Sequence, residues 1–144
     1  EITYGLERLC MFVQGKNNVF DLDWNNSGVK YKEVFFQAEK EFSAYNFEFA
    51  NTDALLKSFE NFENECKSLI EKKLSLPAYD QCLKASHIFN LLDARKAISV
   101  TERQRFILRV RSLARLVATS YFESRKLLGF PLASEELRKE YLDK

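Results

Sequence analysis

The sequence predicts a mainly α protein, a helical bundle of about five to six helices that follows the end of a β-strand. Three observations carry that prediction. Helix breakers are scarce, with 4 Gly and 2 Pro in 144 residues. Large apolar side chains are abundant, 13 of them Phe. Beyond residue 30 those side chains recur at the i, i+3, i+4 spacing that puts them on one face of a helix. With 46% apolar and 30% charged residues, the chain is globular in composition and long enough to bury a core.

Glu1-Ile2-Thr3-Tyr4 alternates polar and apolar side chains and reads as the tail of a strand. Gly5 marks a turn. Leu6, Leu9, Phe12 and Val13 then share one face of a short helix ending near Gln14, with Gly15 as its stop. Residues 15–30 are dominated by Asn, Ser and Gly and read as a loop. Val19–Trp24 interrupts that loop and pins it to the body through Phe20 and Trp24. Helical spacing resumes with Phe35, Ala38, Phe42, Tyr45 and Phe49.

Asn51-Thr52-Asp53 reads as an N-cap cluster. The helix it starts runs to about Lys73, with Leu55, Phe59, Phe62, Cys66 and Leu69 inward. Leu74-Ser75-Leu76-Pro77 breaks it, and Pro77 suits the first position of a third helix, where a missing N–H has no cost. That helix runs to about Arg95 and buries Cys82 or Leu83 together with Ile88, Leu91 and Leu92. Ser99-Val100-Thr101-Glu102 is a capping box, and Thr101-Glu102-Arg103-Gln104 is a second candidate one register on. The longest helix starts there and reaches Leu128, with Phe106, Val110, Leu113, Val117 and Tyr121 as its buried stripe. Ser134 caps a last, mostly polar helix ending in Lys144. The Phe stripes read as core, and the carboxylates at 60, 63 and 65 as a solvated helix face.

Several function classes are excluded or disfavoured at once. No apolar run is long enough to span a membrane, and the N-terminus does not read as a signal peptide. Cys10, Cys66 and Cys82 are odd in number and far apart, without a CxxC or paired His. They predict neither a disulfide framework nor a zinc site, and read as reduced thiols in a core. No metal site built from protein side chains is expected. His87, the sole histidine, lacks a nucleophile at useful spacing and reads as a packing residue. The chain does not begin with Met, and its first residues already resemble the interior of an element. We therefore expect it to be part of a longer protein.

Two features carry chemistry. In Gly5-Leu6-Glu7-Arg8 a strand runs into a glycine and a helix opens with an arginine in its first turn. Glycine lets a ligand approach the backbone, the helix start offers unpaired N–H groups, and Arg8 adds a planar cation for a phosphate or a flat ring. That combination suits a nucleoside triphosphate, although Gly-x-x-Arg at a turn also occurs for purely structural reasons. The second feature is the basic run Arg103, Arg105, Arg109, Arg111 and Arg115. Residues 1–80 carry 9 basic and 14 acidic groups, and residues 81–144 carry 13 basic and 7 acidic groups. The run admits three readings: a face for nucleic-acid phosphates, a contact with another protein chain, or a solvated face paired with nearby carboxylates.

Glu1-Ile2-Thr3-Tyr4-Gly5-Leu6-Glu7-Arg8-Leu9 resembles motif 3 of the class II aminoacyl-tRNA synthetases. Tyr45-Asn46-Phe47-Glu48, Leu76-Pro77-Ala78-Tyr79, Phe89–Arg95 and Ala97–Arg103 resemble the alpha subunit of the bacterial heterotetrameric glycyl-tRNA synthetases. These strings lie in the family's order and cover about residues 1–132, with 133–144 unmatched. Phe36-Gln37-Ala38-Glu39 departs from the family, where this string is more polar.

The resemblance implies a class II catalytic subunit that joins glycine to ATP, with Mg2+, and transfers glycyl to tRNA(Gly). It implies a cytoplasmic α2β2 assembly containing an alpha–alpha dimer and a beta subunit. Gly5 and Arg8 would bind ATP, Glu1 and Thr3 would hold the glycine ammonium, and Glu7 would support them from behind. Residues 1–15 would end the catalytic domain after the last strand of its antiparallel sheet, 16–30 would connect, and 31–144 would form a helical domain. Motifs 1 and 2 are not in the sequence, so residues 1–144 alone are expected not to activate glycine. The alternative is a non-catalytic helical module that binds the beta subunit or tRNA.

Overall fold

The computed structural model describes residues 4–142. The expected strand residues Glu1, Ile2 and Thr3, and the end of the last helix, lie outside the described residues. Those described form six α-helices: α1 (Leu6–Val13), α2 (Tyr31–Ala44), α3 (Thr52–Glu71), α4 (Ser75–Ala94), α5 (Val100–Leu127) and α6 (Glu135–Leu142). A 3₁₀ turn spans Val19–Asp21, and a π-turn, Tyr45–Phe49, continues α2. The mainly α expectation holds. The chain divides into two compact units, residues 1–49 and 50–144.

The second unit is organised by an apolar core shared by α3, α4 and α5. Phe59, Cys66, Ala78, Ala85 and Leu92 have no exposed surface, and Leu55, Cys82, Leu91, Phe106, Leu113 and Val117 are buried beside them. Burying one such large side chain contributes roughly 1.5–3 kcal/mol. Ala78 and Ala85 are the small residues that let α3 and α5 approach α4. The helical spacing of larger residues does not reveal them.

The helix ends follow from local chemistry. Asn51 caps α3 through Oδ1, which accepts from the Ala54 N–H at 3.0 Å. Ser99 and Glu102 close the capping box of α5: Ser99 Oγ accepts from Glu102 N–H at 3.2 Å, and Glu102 Oε2 accepts from Ser99 N–H at 2.8 Å. Of the two boxes the sequence offered, the first is used. Pro77 is the third residue of α4, not the first, and remains within the opening turn whose N–H groups need no helical partner. α3 and α4 end with Lys73 and Lys96 in the left-handed region, at φ +60° and +52°. In both, the lysine N–H and that of the next residue turn back to helix carbonyls, as Ala97 N–H does to Leu92 O at 3.0 Å.

Several expected core positions are exposed. Tyr121, assigned to the buried stripe of α5, is 45% exposed; of the pair Cys82 or Leu83, Cys82 is the one that is buried. The buried stripe of α5 ends at Val117, because Tyr121 lies on an open groove beside the start of α4. His87 is exposed, not packed, and so is Cys10, whereas Cys66 and Cys82 are buried as expected.

The first unit is built differently. Leu22 is its one buried residue among those described. The aromatic stripe predicted as core is open to solvent at Phe42, Tyr45 and Phe49, and no residue of α1 or α2 is buried. Leu6, Phe12 and Val13 of α1 and the far end of α2 lie open to solvent. Order comes mainly from ring contacts and turn hydrogen bonds. Phe20 meets Phe36 at 5.1 Å, Trp24 meets Phe35 at 5.2 Å, and Tyr31 meets Phe35 at 4.7 Å. Phe20 and Trp24 therefore do pin the loop, as their place in the sequence suggested.

Candidate functional site

The Gly5–Arg8 segment forms the N-terminus of α1. Gly5 has extended backbone, φ −72° and ψ 103°, and no side chain caps the helix. The first-turn N–H groups are left for solvent or a ligand. Arg8 is exposed, and its aliphatic stem lies over Gly5: a Cβ at residue 5 would sit 3.7 Å from Arg8 Cγ and Cδ. That is ordinary contact, so Gly5 is not required here by backbone strain. Its lack of a side chain keeps the backbone open beside the guanidinium stem. Glu1 and Thr3, the predicted glycine-binding pair, lie outside the described residues.

Glu7 is joined to α2. Tyr31 Oη donates to Glu7 Oε1 at 3.5 Å. Burial and the nearby Glu7 and Glu39 carboxylates raise the phenol above its ordinary value, so it stays a neutral donor. At the other end of α1, the Gln14 amide pairs with the Asp23 backbone in both directions. Asp23 N–H donates to Gln14 Oε1 at 2.8 Å, and Gln14 Nε2 donates to Asp23 O at 3.1 Å. Asp23 is itself bridged to Lys30, with Trp24 N–H to Val29 O and Tyr31 N–H to Leu22 O both at 2.8 Å. Lys30 Nζ also contacts the Asp23 carboxylate and, through its hydrogen bond, lowers the Asp23 pKa below the usual range.

The five arginines of α5 do not form one face. Arg103 is paired with Asp93 at the α4–α5 corner, Nε to Oδ2 at 3.0 Å. Arg109 turns inward to Glu63, donating from Nε to Oε2 at 3.1 Å and from Nη2 to the same oxygen. Its guanidinium lies 4.5 Å from the centre of the Phe59 ring and 5.1 Å from that of Phe106. Arg105, Arg111 and Arg115 are exposed. Three of the five thus remain available to an anionic partner, and two hold the bundle together.

Glu63 corrects the expectation of a solvated acidic face on α3. It is 7% exposed and takes a second bond from Lys67 at 3.1 Å. The Arg109 hydrogen bond holds its carboxyl below the ordinary value, outweighing burial. The signal was present in the sequence: Phe59, Glu63 and Cys66 stand at i, i+4 and i+7, which puts the carboxylate on the inner stripe. Burial pushes the Cys66 thiol up to about 11 and raises that of Cys82, so both are protonated and unreactive at neutral pH. Gln14 gave no comparable sign, because its partner is a backbone segment that only the folded loop brings near.

The second unit also has an open apolar groove of about 350 Å3 between the start of α4 and α5, lined by Ser75, Leu76, Tyr79, Val117 and Tyr121. It presents no acid–base or nucleophilic set. No group of three His, Cys, Asp or Glu side chains that could hold a metal ion occurs among the described residues. No helix there is long and apolar enough to cross a membrane.

The comparison with protein families places the chain among the aminoacyl-tRNA synthetases. The sequence model of the glycyl-tRNA synthetase alpha subunit matches residues 1–126, and the chain belongs to that family. The match covers α1 to the last turn of α5 and leaves α6 outside it. Of the strings that carried the resemblance, Phe89–Arg95 and Ala97–Arg103 build the α4–α5 corner. There Arg95 Nε donates to Ala50 O at 3.3 Å, and Arg103 closes on Asp93.

Proposed function

We propose that this chain supplies part of the glycine-activating site of a class II glycine–tRNA ligase, acting in the cytoplasm as part of an α2β2 assembly with an alpha–alpha dimer and a beta subunit. Membership of the family supports the reaction class. The observation that carries the site is Arg8, exposed in the first turn of an uncapped helix beside a residue without a side chain. In this reading Arg8 pairs with an ATP phosphate or stacks on the adenine, and Gly5 gives the nucleotide room. It neutralises charge as the glycine carboxylate attacks the α-phosphate and pyrophosphate leaves. Glu1 and Thr3 hold the glycine ammonium, and Glu7, tied to Tyr31, supports the turn. Mg2+ would arrive on the ATP phosphates, since no side-chain cluster stands ready for it among the described residues.

A charge-assisted hydrogen bond is worth about 1.5–3 kcal/mol, so Arg8→Ala in the complete synthetase should lower kcat/KM for ATP by roughly 10- to 100-fold. Glycine-dependent ATP–pyrophosphate exchange measures this, and an unchanged value would remove Arg8 from the site. Residues 1–144 by themselves are expected to show no exchange. Exchange by those residues alone would overturn the expectation.

A second reading, in which the helical unit serves as a docking module for tRNA(Gly) or the beta subunit, is favoured by Arg105, Arg111 and Arg115. If the three meet phosphates, replacing all with Ala should flatten the slope of log affinity against log salt by about 2–3. The same loss seen for beta-subunit binding without tRNA would assign the face to protein instead.

A further inference from the structure

Helix α1 carries Arg8 yet buries none of its own residues. Apolar packing within its unit therefore does not fix its direction. Two polar clips do, one at each end. Gln14, the C-cap residue, forms the reciprocal amide pair with Asp23 at 2.8 and 3.1 Å. Glu7, in the first turn, takes the Tyr31 hydroxyl. The clips are linked to one another, because Asp23 is bridged to Lys30 and Tyr31 follows directly. The loop is stiffened from within: Asn25 Oδ1 accepts from Ser27 N–H at 2.9 Å and Val29 N–H at 3.3 Å, and Leu22 anchors it at 3% exposure.

We infer that the 22–31 loop is a brace for α1 and that Gln14 is a positioning residue for Arg8. This rests on the reading of Arg8 as an ATP contact. Gln14 stands six residues, about 9 Å of helix axis, from Arg8, so a tilt of about 10° at its clip swings Arg8 by about 1.5 Å. A displacement of about 1 Å at a reacting site is enough to cost about 100-fold in rate. The amide is suited to this role because it offers one donor and one acceptor in a plane and replaces a β-bridge partner for Asp23. Glutamate at the same position keeps the acceptor for Asp23 N–H and loses the donor.

The test uses the complete synthetase and glycine-dependent ATP–pyrophosphate exchange. Gln14→Ala should raise KM for ATP about 10-fold with KM for glycine and the thermal midpoint unchanged, and Gln14→Glu should fall between it and the wild type. Combined with Arg8→Ala, Gln14→Ala should add no further loss, because its effect passes through Arg8. Losses that add, a normal KM for ATP in Gln14→Ala, or a defect confined to the thermal midpoint would each overturn the positioning role. An Arg8→Ala enzyme with normal ATP use would instead overturn the reading of Arg8 itself, and the inference with it.

Discussion

The two units of this chain are held together in opposite ways. In residues 50–144, three helices bury a continuous set of apolar side chains around Phe59, and their one internal charged group, Glu63, is paired. In residues 4–49, Leu22 alone is buried, and rings and polar clips set the geometry. The difference separates two jobs. A packed core tolerates little change and gives stability. A segment that is clipped but uncovered keeps its backbone and its arginine accessible, as the nucleotide site proposed for it requires. The same distinction divides the arginines: Arg109 is bound into the core, whereas Arg8, Arg105, Arg111 and Arg115 are left to solvent.

The sharpest way to break the comparison is at Phe59. Phe59→Ala removes a ring with no exposed surface and should destabilise the helical unit by about 3–5 kcal/mol in denaturant unfolding. A loss under about 1 kcal/mol would mean that the core is not where the burial places it. Next is Arg109→Ala, which strands Glu63 and removes the contact with Phe59 and Phe106. Breaking a fully buried pair costs about 3–5 kcal/mol; with Arg109 half exposed, about 2–3 is expected.

The pair also sets a pH dependence. The folded-state pKa of Glu63 lies below its ordinary 4.5. Its stabilising contribution is therefore full above that ordinary value and is lost as pH falls through the lowered one. Glu63→Gln should flatten the loss of stability in that acidic window, and an unchanged acid slope would show that the carboxylate is not held down. Smaller still is Lys96→Gly, which relieves a left-handed lysine and should add about 0.5–1 kcal/mol, measured in the same unfolding curve. Smallest is the triple Ala replacement at Arg105, Arg111 and Arg115. It should leave stability within about 0.5 kcal/mol, and a larger drop would return those side chains to the scaffold.

How far the sequence could be read follows the same division. Caps were legible because Asn51 and Ser99 act on backbone groups three residues away. The inner stripes of α3 and α5 were legible because periodicity and burial coincide where three helices pack together. Periodicity misled at Phe42, Tyr45 and Phe49, where the spacing is helical but no partner in the unit covers the face. It also misled at Tyr121, which lies on an open groove beside the start of α4. Arg8 was readable from a helix start beside glycine, and the family from five strings, two of which build the α4–α5 corner. Gln14 and the Asp23–Lys30 bridge were not readable. Their meeting depends on how a loop closes, and no short-range pattern encodes that.

The most direct test of the account sets Arg8→Ala beside Arg109→Ala in the complete synthetase, measuring KM for ATP and the thermal midpoint of each. Arg8→Ala should raise KM for ATP while keeping the wild-type midpoint, and Arg109→Ala should lower the midpoint while keeping the wild-type KM for ATP. If the two variants shift both quantities alike, the division between a clipped unit proposed to meet ATP and a packed helical one is contradicted.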